Sequence, residues 1–229
     1  MPNPDIQVPM PDAVKFVRQL SHDLRNHLNA AELQAAYIAE IAEDSEVKEE
    51  IKRLRAMLSE VGTSLQRVTS SLAAARLTLM PYAAADLMDD LRQKLAADYP
   101  KESPQIEWKV QPGDASLQID PQALQPALLE LFVNAFRHGR AEGAISLEAV
   151  VEGDRFVCTI REPKQSFERS TENWGREPFR TVGQGHYGLG LHRTRAIIEA
   201  HGGQLNARYD SPESSLITTM VLPLAEPAG

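Results

Sequence analysis

Apolar residues recur at alternating steps of four and three from Val47 through Ile51, Leu54, Leu58, Val61, Leu65, Val68, Leu72 and Ala75 to Leu79. That rhythm keeps one apolar seam on one side of a slightly supercoiled helix. A wider stripe precedes it, from Val14 and Val17 through Leu20, Leu24, Leu28, Ala31, Ala35 and Ile38 to Ala42. A wide stripe suits a helix with more than one neighbour. Between Asp12 and Leu79 there is no proline, the single glycine is Gly62, and good helix formers dominate. The polar run Glu43-Asp44-Ser45-Glu46 separates the two patterns and predicts the turn of an antiparallel helical hairpin. Two helices leave much of both stripes uncovered. A second copy of the chain, completing a two-fold four-helix bundle, is therefore expected in preference to packing on the rest of the same chain.

Pro81 ends the helical pattern, and the texture changes after Tyr99-Pro100. Residues 106–110 and 117–119 read as short strands. Residues 121–138 read as a helix, with Asp120 as N-cap and Pro121 in its first position. Residues 145–151 and 156–160 alternate about a turn at Glu152-Gly153-Asp154, which predicts a hairpin. Residues 164–187 read as a long loop, of the kind kept for function. A helix over 188–200 and a second hairpin, 204–209 with 216–222, close the chain. The expected fold class is α+β: a tail at 1–11, the helical hairpin at 12–80, and a mixed sheet backed by helices at 81–229.

Composition narrows the function. The chain has 229 residues with 24 Lys and Arg against 32 Asp and Glu, a net charge of −8. That surplus of acid disfavours nucleic acid as a partner, since neutralising phosphates takes basic side chains. A hydrophobic share of 42% is enough for a packed core. The single cysteine, Cys158, excludes an internal disulfide framework and a four-cysteine zinc site. No apolar run is long enough for a membrane span, and the start lacks the layout of a signal peptide, so a cytoplasmic protein is expected.

Three stretches carry candidate chemistry. In the first helix, His22 lies off the Leu20, Leu24 and Leu28 seam, with Asp23 beside it and Asn26 one turn on. An exposed imidazole next to a carboxylate can act as a nucleophile, because the carboxylate takes the ring proton while the other nitrogen attacks. A plain surface histidine is the alternative reading. In the helix predicted over 121–138, Glu130, Asn134, Arg137 and His138 share a broad polar face. A carboxylate and an amide oxygen are hard ligands that Mg²⁺ accepts alongside water and substrate phosphates. A solvated helix face ending in basic residues is the alternative. Gly183-Gln184-Gly185-His186-Tyr187-Gly188-Leu189-Gly190-Leu191 opens a helix, where glycines admit a phosphate to free backbone N–H groups. It follows a loop rather than a strand and has no Walker lysine. A flexible glycine loop is the alternative there. His201-Gly202-Gly203 reads as a helix cap.

In this order, the motifs resemble sensor histidine kinases over roughly residues 16–224. Ser21-His22-Asp23-Leu24-Arg25-Asn26 is similar to the phosphoacceptor box of the dimerisation and histidine-phosphotransfer domain. Residues 130–138 resemble the asparagine box of the catalytic ATP-binding domain. Glu177-Pro178-Phe179-Arg180 resembles the phenylalanine motif of the ATP lid, and residues 185–191 with 201–203 resemble the last glycine box and its helix. The resemblance implies a Bergerat-type α/β sandwich at 81–229, with ATP and Mg²⁺ as cofactors. It implies that His22 is phosphorylated, with Asp23 its acid/base partner and Asn26 orienting water for dephosphorylation of a response regulator. It implies Asn134 and Glu130 at Mg²⁺, Arg137 and His138 against phosphates or ribose, and Gly185, Gly188, Leu189 and Gly190 lining the phosphates.

Two departures stand out. His27 replaces the proline usual after the Asn26 position, which bears on helix bending more than on chemistry. The Asp-x-Gly-x-Gly box expected after strand 156–160 reads Glu162-Pro163-Lys164-Gln165-Ser166. Glu162 aligns with the aspartate that accepts from the adenine amino group, and Lys164 and Ser166 replace the glycines. ATP binding is expected to be weakened rather than abolished, by about one to two decades if a charge-assisted bond is lost. The leading expectation is a homodimeric kinase core that autophosphorylates His22 and passes the group to a response-regulator receiver domain. With no sensor segment recognised, its input is expected from a separate partner or at the N-terminal tail. The alternatives are a phosphotransfer or phosphatase scaffold whose ATP-binding domain no longer takes nucleotide, and an ATPase of the same superfamily without phosphohistidine.

Overall fold

The computed structural model describes residues 9–73, 75–137, 141–168, 170–176, 178 and 188–225. The chain divides into two compact units, Met1–Ala73 and Ala74–Gly229.

The first unit is an antiparallel pair of long helices, α1 (Met10–Ile41) and α2 (Ser45–Ser71). Pro11 sits in the first turn of α1, where its missing N–H costs nothing. Asp44 caps α2 by accepting from the Glu46 N–H at 2.7 Å, which places the turn where the polar run predicts it. Cross-helix bonds set the register: Arg18 donates to the Leu72 carbonyl, Arg25 to Gln66, and Arg55 Nε to Glu32 Oε1 at 2.7 Å. Within one chain, α1 covers alternate heptad positions of α2 from Val47 to Leu65, and Val68 beyond them is half-buried as well. Ile51 and Leu72 are buried and Leu58 and Leu65 half-buried, whereas Val47, Leu54 and Val61 stay 43–49% exposed. Leu20 and Leu24, expected on the inner face of α1, are likewise exposed. The heptad runs on to Leu79, but α2 stops at Ser71. Thr69 turns its hydroxyl back onto the Leu65 carbonyl at 2.6 Å, and the Thr69-Ser70-Ser71 run favours such local bonds over further helix.

The second unit holds β1 (Met80–Ala83), α3 (Ala84–Asp98), β2 (Ile106–Gln111), β3 (Ser116–Ile119), α4 (Pro121–Arg137), β4 (Ile145–Glu152), β5 (Arg155–Pro163), α5 (Gly190–Ala200), β6 (Gln204–Asp210) and β7 (Ser215–Pro223). Strands β2-β4-β5-β7-β6 form a five-stranded sheet in that order. The β2–β4 pair is parallel and the rest antiparallel, so the sheet is mixed, as expected. β1 and β3 pair separately. One sheet face carries Ile145, Leu147, Ala149, Phe156, Cys158, Ile160, Met220 and Leu222 at period two, and it packs on α3, α4 and α5. Cys158 lies within this core, and burial pushes its thiol up to about 12, so it is neither a ready nucleophile nor a metal ligand.

The sequence pattern anticipated neither β1 nor α3. Leu87, Met88, Leu91 and Leu95 of α3 are fully buried at helical spacing, a stripe interrupted in the sequence by the exposed Asp86 and Asp89 and by the half-buried Asp90, which accepts from the Tyr82 hydroxyl and from Gln125 Nε2. Helix α5 begins at Gly190, two residues later than its glycine run suggested.

His201 and Asp120 join the ends of α5 and α4. The Asp120 main-chain N–H donates to His201 Nε2 at 3.0 Å, and His201 Nδ1 donates to the Ile197 carbonyl at 2.7 Å. Gly202 takes a φ of +74°, and the Gly202 and Gly203 amides close a Schellman cap on Glu199 and Ile198. The Asp120 carboxylate receives the Thr78 N–H at 2.9 Å and the Ala123 N–H at 3.2 Å, and the Thr78 bond above all holds its pKa below 3.8. Its stabilising contribution is therefore complete above the ordinary carboxylate pKa and lost as pH falls through the lower folded value. Asp120→Asn should flatten the acid limb of a urea-unfolding pH profile, and an unchanged limb would contradict this account.

Candidate functional site

In the first unit, the exposed side of α1 presents His22, Asp23 and Asn26. His22 Nδ1 lies 3.2 Å from Asp23 Oδ1 and 3.5 Å from Asn26 Nδ2. The His22 and Asp23 side chains are 69% and 54% exposed. In the tautomer that donates from Nδ1 to Asp23, the Nε2 lone pair is the nucleophile; the Asn26 amide nitrogen is itself a donor and makes no hydrogen bond to a protonated Nδ1. Gln19 Nε2 donates to Asp23 Oδ1 at 2.9 Å and fixes the carboxylate. Gln19 was not singled out from the sequence, although a Gln–Asp pair four residues apart on a helix is a legible signal.

In the second unit, α4 is amphipathic. Leu124, Leu128, Leu131, Phe132 and Ala135 are buried, Glu130 and Asn134 half-buried one turn apart, and Arg137 exposed in the last turn. Helix α5 is bound to α4 by the Thr194 hydroxyl, which donates to the Ala127 carbonyl at 3.2 Å. Its first residue, Gly190, lies so near Glu130 that a Cβ there would sit 2.0 Å from Oε1. Gly188 takes a φ of +62°, open to glycine at no cost, and Leu189 is buried as the N-cap. The fold thus brings Glu130, Gly188, Leu189 and Gly190 together at the N-terminus of α5, with Asn134 one turn along. His138, Gly185 and most of the lid motif, Glu177, Phe179 and Arg180, lie outside the described residues.

This donor set fits Mg²⁺ and phosphate. A carboxylate beside the free amides of a helix start would repel a phosphate placed there unless a cation lay between them. Glu130 and Asn134 offer hard oxygen atoms of the kind such an ion takes alongside water and phosphate. Among the described residues, no group of three or more His, Cys, Asp or Glu could hold a metal without that help.

The end of β5 departs from this openness. Glu162 shares the core-facing side of the strand with Phe156, Cys158 and Ile160 and is itself buried. Lys164 Nζ lies 2.5 Å from Glu162 Oε1, and the two side chains are 6% and 9% exposed respectively. The surrounding backbone is tied to the β6–β7 hairpin. The Lys164 N–H donates to the Ser214 carbonyl at 2.7 Å, and the Tyr209 hydroxyl reaches the Lys164 and Gln165 carbonyls at 3.1 and 3.0 Å. From the sequence, Lys164 is legible only as a lost glycine; its pairing with Glu162 depends on the burial of both side chains at and just past the end of β5 and on the Ser214 tie.

Similarity to known proteins bears on the fold and the type of domain. Residues 119–226 match the family model described as histidine kinase-, DNA gyrase B-, and HSP90-like ATPase. The alginate biosynthesis sensor protein KinB of Pseudomonas aeruginosa is 28% identical over 225 residues, covering 92% of this chain and 37% of that protein. The sensor histidine kinase ZraS of Salmonella typhimurium is 26% identical over 204 residues, covering 87% of this chain and 43% of that protein. The chain therefore spans well under half the length of these relatives. Full-length ShkA, solved in complex with AMPPNP, superposes with a TM-score of 0.67 at 21% identity, over 94% of this chain and 47% of that one. The Acinetobacter baumannii histidine kinase AdeS superposes with a TM-score of 0.54 at 16% identity, over 90% of this chain and 98% of that one. At such identities the structures establish the shared α+β fold, a helical region followed by a mixed sheet backed by helices. Together with the family match and the sensor-kinase relatives, they support a sensor-histidine-kinase type of ATPase domain in the C-terminal part of this chain.

Proposed function

We propose that the chain is a two-component histidine kinase core that phosphorylates its own His22 from Mg-ATP and passes the phosphoryl group to an aspartate of a response-regulator receiver domain. The observation that carries this reading is the exposed His22–Asp23–Asn26 group, in one chain with a domain that matches the histidine kinase ATPase model.

Asp23 draws the Nδ1 proton, and the Nε2 lone pair attacks the γ-phosphorus of ATP. The bond to the bridging oxygen breaks, and ADP leaves with the electron pair. Phosphoryl transfer of this kind depends chiefly on positioning and charge neutralisation. Glu130 and Asn134 would hold Mg²⁺, which neutralises charge on the β- and γ-phosphates. The N-terminus of α5, from Gly188 to Gly190, offers backbone N–H groups to the phosphates. Arg137 adds a cation at the same end of α4. The half of the α2 seam that α1 leaves uncovered supports assembly as a homodimer.

Asn26 supports a second activity. Its amide lies within one turn of His22 and is placed to orient water on a phosphorylated receiver. With a purified cognate receiver, Asn26→Ala should lower phospho-receiver hydrolysis about tenfold or more, in the range of a lost general acid–base or orienting contact. Phosphorylation of His22 should stay within about twofold of wild type. Equal loss of both activities would make Asn26 a structural residue.

The buried Glu162–Lys164 pair favours one competing reading, a phosphotransfer scaffold. In that case a phosphorylated receiver would load His22, and Mg-ATP would not.

A further inference from the structure

We infer that Lys164 fills the base-reading position of the nucleotide site from within, so that the site does not select adenine over guanine. This rests on the proposed function above and on Glu162 standing where the resemblance to sensor histidine kinases puts the adenine-reading carboxylate.

Reading adenine at this position requires a carboxylate oxygen free to accept from the exocyclic amino group. Glu162 is the carboxylate at the strand end, and its Oε1 lies 2.5 Å from the Lys164 ammonium. Both side chains are nearly sealed from water. An ammonium–carboxylate contact is stronger than one from a neutral amine. An incoming base would also have to part the buried lysine from Glu162, which is strongly unfavourable. The pair is not free to swing aside. Pro163 precedes Lys164, the Lys164 amide is bonded to Ser214, and Tyr209 holds the next two carbonyls. Adenine and guanine differ at the six-position, as amino against carbonyl, and a Glu162 buried against Lys164 is presented to neither. The phosphate end is untouched by this pair, since Glu130, Asn134 and the N-terminus of α5 belong to other elements. Selectivity is lost there while triphosphate binding remains.

The test is the ratio of dissociation constants for Mg-ATP and Mg-GTP, measured by calorimetry on the full chain. For the wild type we expect a ratio within about threefold of unity. Lys164→Gly frees Glu162 and should shift the ratio towards ATP by about tenfold or more, the value of one regained hydrogen bond to a charged group. That variant takes the lysine away from a buried carboxylate, so its folding is checked by thermal melting; the wild-type ratio is measured without any substitution. A wild-type preference for ATP of tenfold or more overturns the inference and leaves the kinase reading standing. So does a folded Lys164→Gly protein with an unchanged ratio. If neither triphosphate binds the wild type, the inference and the nucleotide-site reading fall together.

Discussion

Leu54→Asp is expected to convert the protein from dimer to monomer without unfolding its helical hairpin. Leu54 belongs to the heptad set that α1 does not cover and is 45% exposed in the single chain. If the hairpin functions alone, an aspartate there is a surface change worth within about 0.5 kcal/mol. If a second copy covers the seam, each protomer loses a buried leucine worth about 1.5–3 kcal/mol. Two-fold symmetry doubles that loss, and a pair of carboxylates is brought into an apolar seam. The dimer dissociation constant should then rise by about two decades or more. Leu58 offers the contrast. It faces α1 within the chain, so Leu58→Asp should disrupt the hairpin itself. Light scattering and circular dichroism on the two variants separate the effects. A wild-type monomer at micromolar concentration, or a Leu54→Asp dimer of wild-type affinity, would contradict the assembly.

Asn134→Ala is expected to reduce autophosphorylation by about 100-fold or more. Loss of a partner that merely supports a metal ligand already costs about 10–100-fold, and Asn134 is assigned a direct contact. The side chain is half-buried on the polar face of α4, so the fold should tolerate the change, and thermal melting of the free protein should stay close to wild type. Removing free Mg²⁺ with a chelator should lower wild-type activity just as far while changing Asn134→Ala little further. Undiminished activity in the variant would remove Asn134 from the metal site.

What the sequence made legible follows from the range of the interactions involved. The hairpin could be read because its period repeats over many turns and its polar turn breaks both stripes at one place. Strands β4 to β7 could be read because one face is buried, which forces alternation. α3 could not, because its acidic outer face obscures a four-residue apolar stripe. The end of α2 could not, because the heptad continues past the point where Thr69 bonds back to the Leu65 carbonyl. In the site, His22, Asp23 and Asn26 needed only neighbours on one helix. Glu130 beside Gly190 needed the packing of α4 on α5, which the motif resemblance implied and residue spacing alone did not. The ion pair of Glu162 with Lys164 depends on burial and on the tie to Ser214, neither of which any spacing rule contains.

The claim that His22 is the phosphoacceptor is tested most directly by mapping the phosphoryl group after incubation with γ-labelled Mg-ATP. The account predicts an acid-labile, base-stable label that localises to the His22 imidazole and disappears in His22→Ala. Label that persists in His22→Ala would contradict it. So would an unlabelled wild type at millimolar Mg-ATP whose His22 still accepts a phosphoryl group from a phosphorylated receiver.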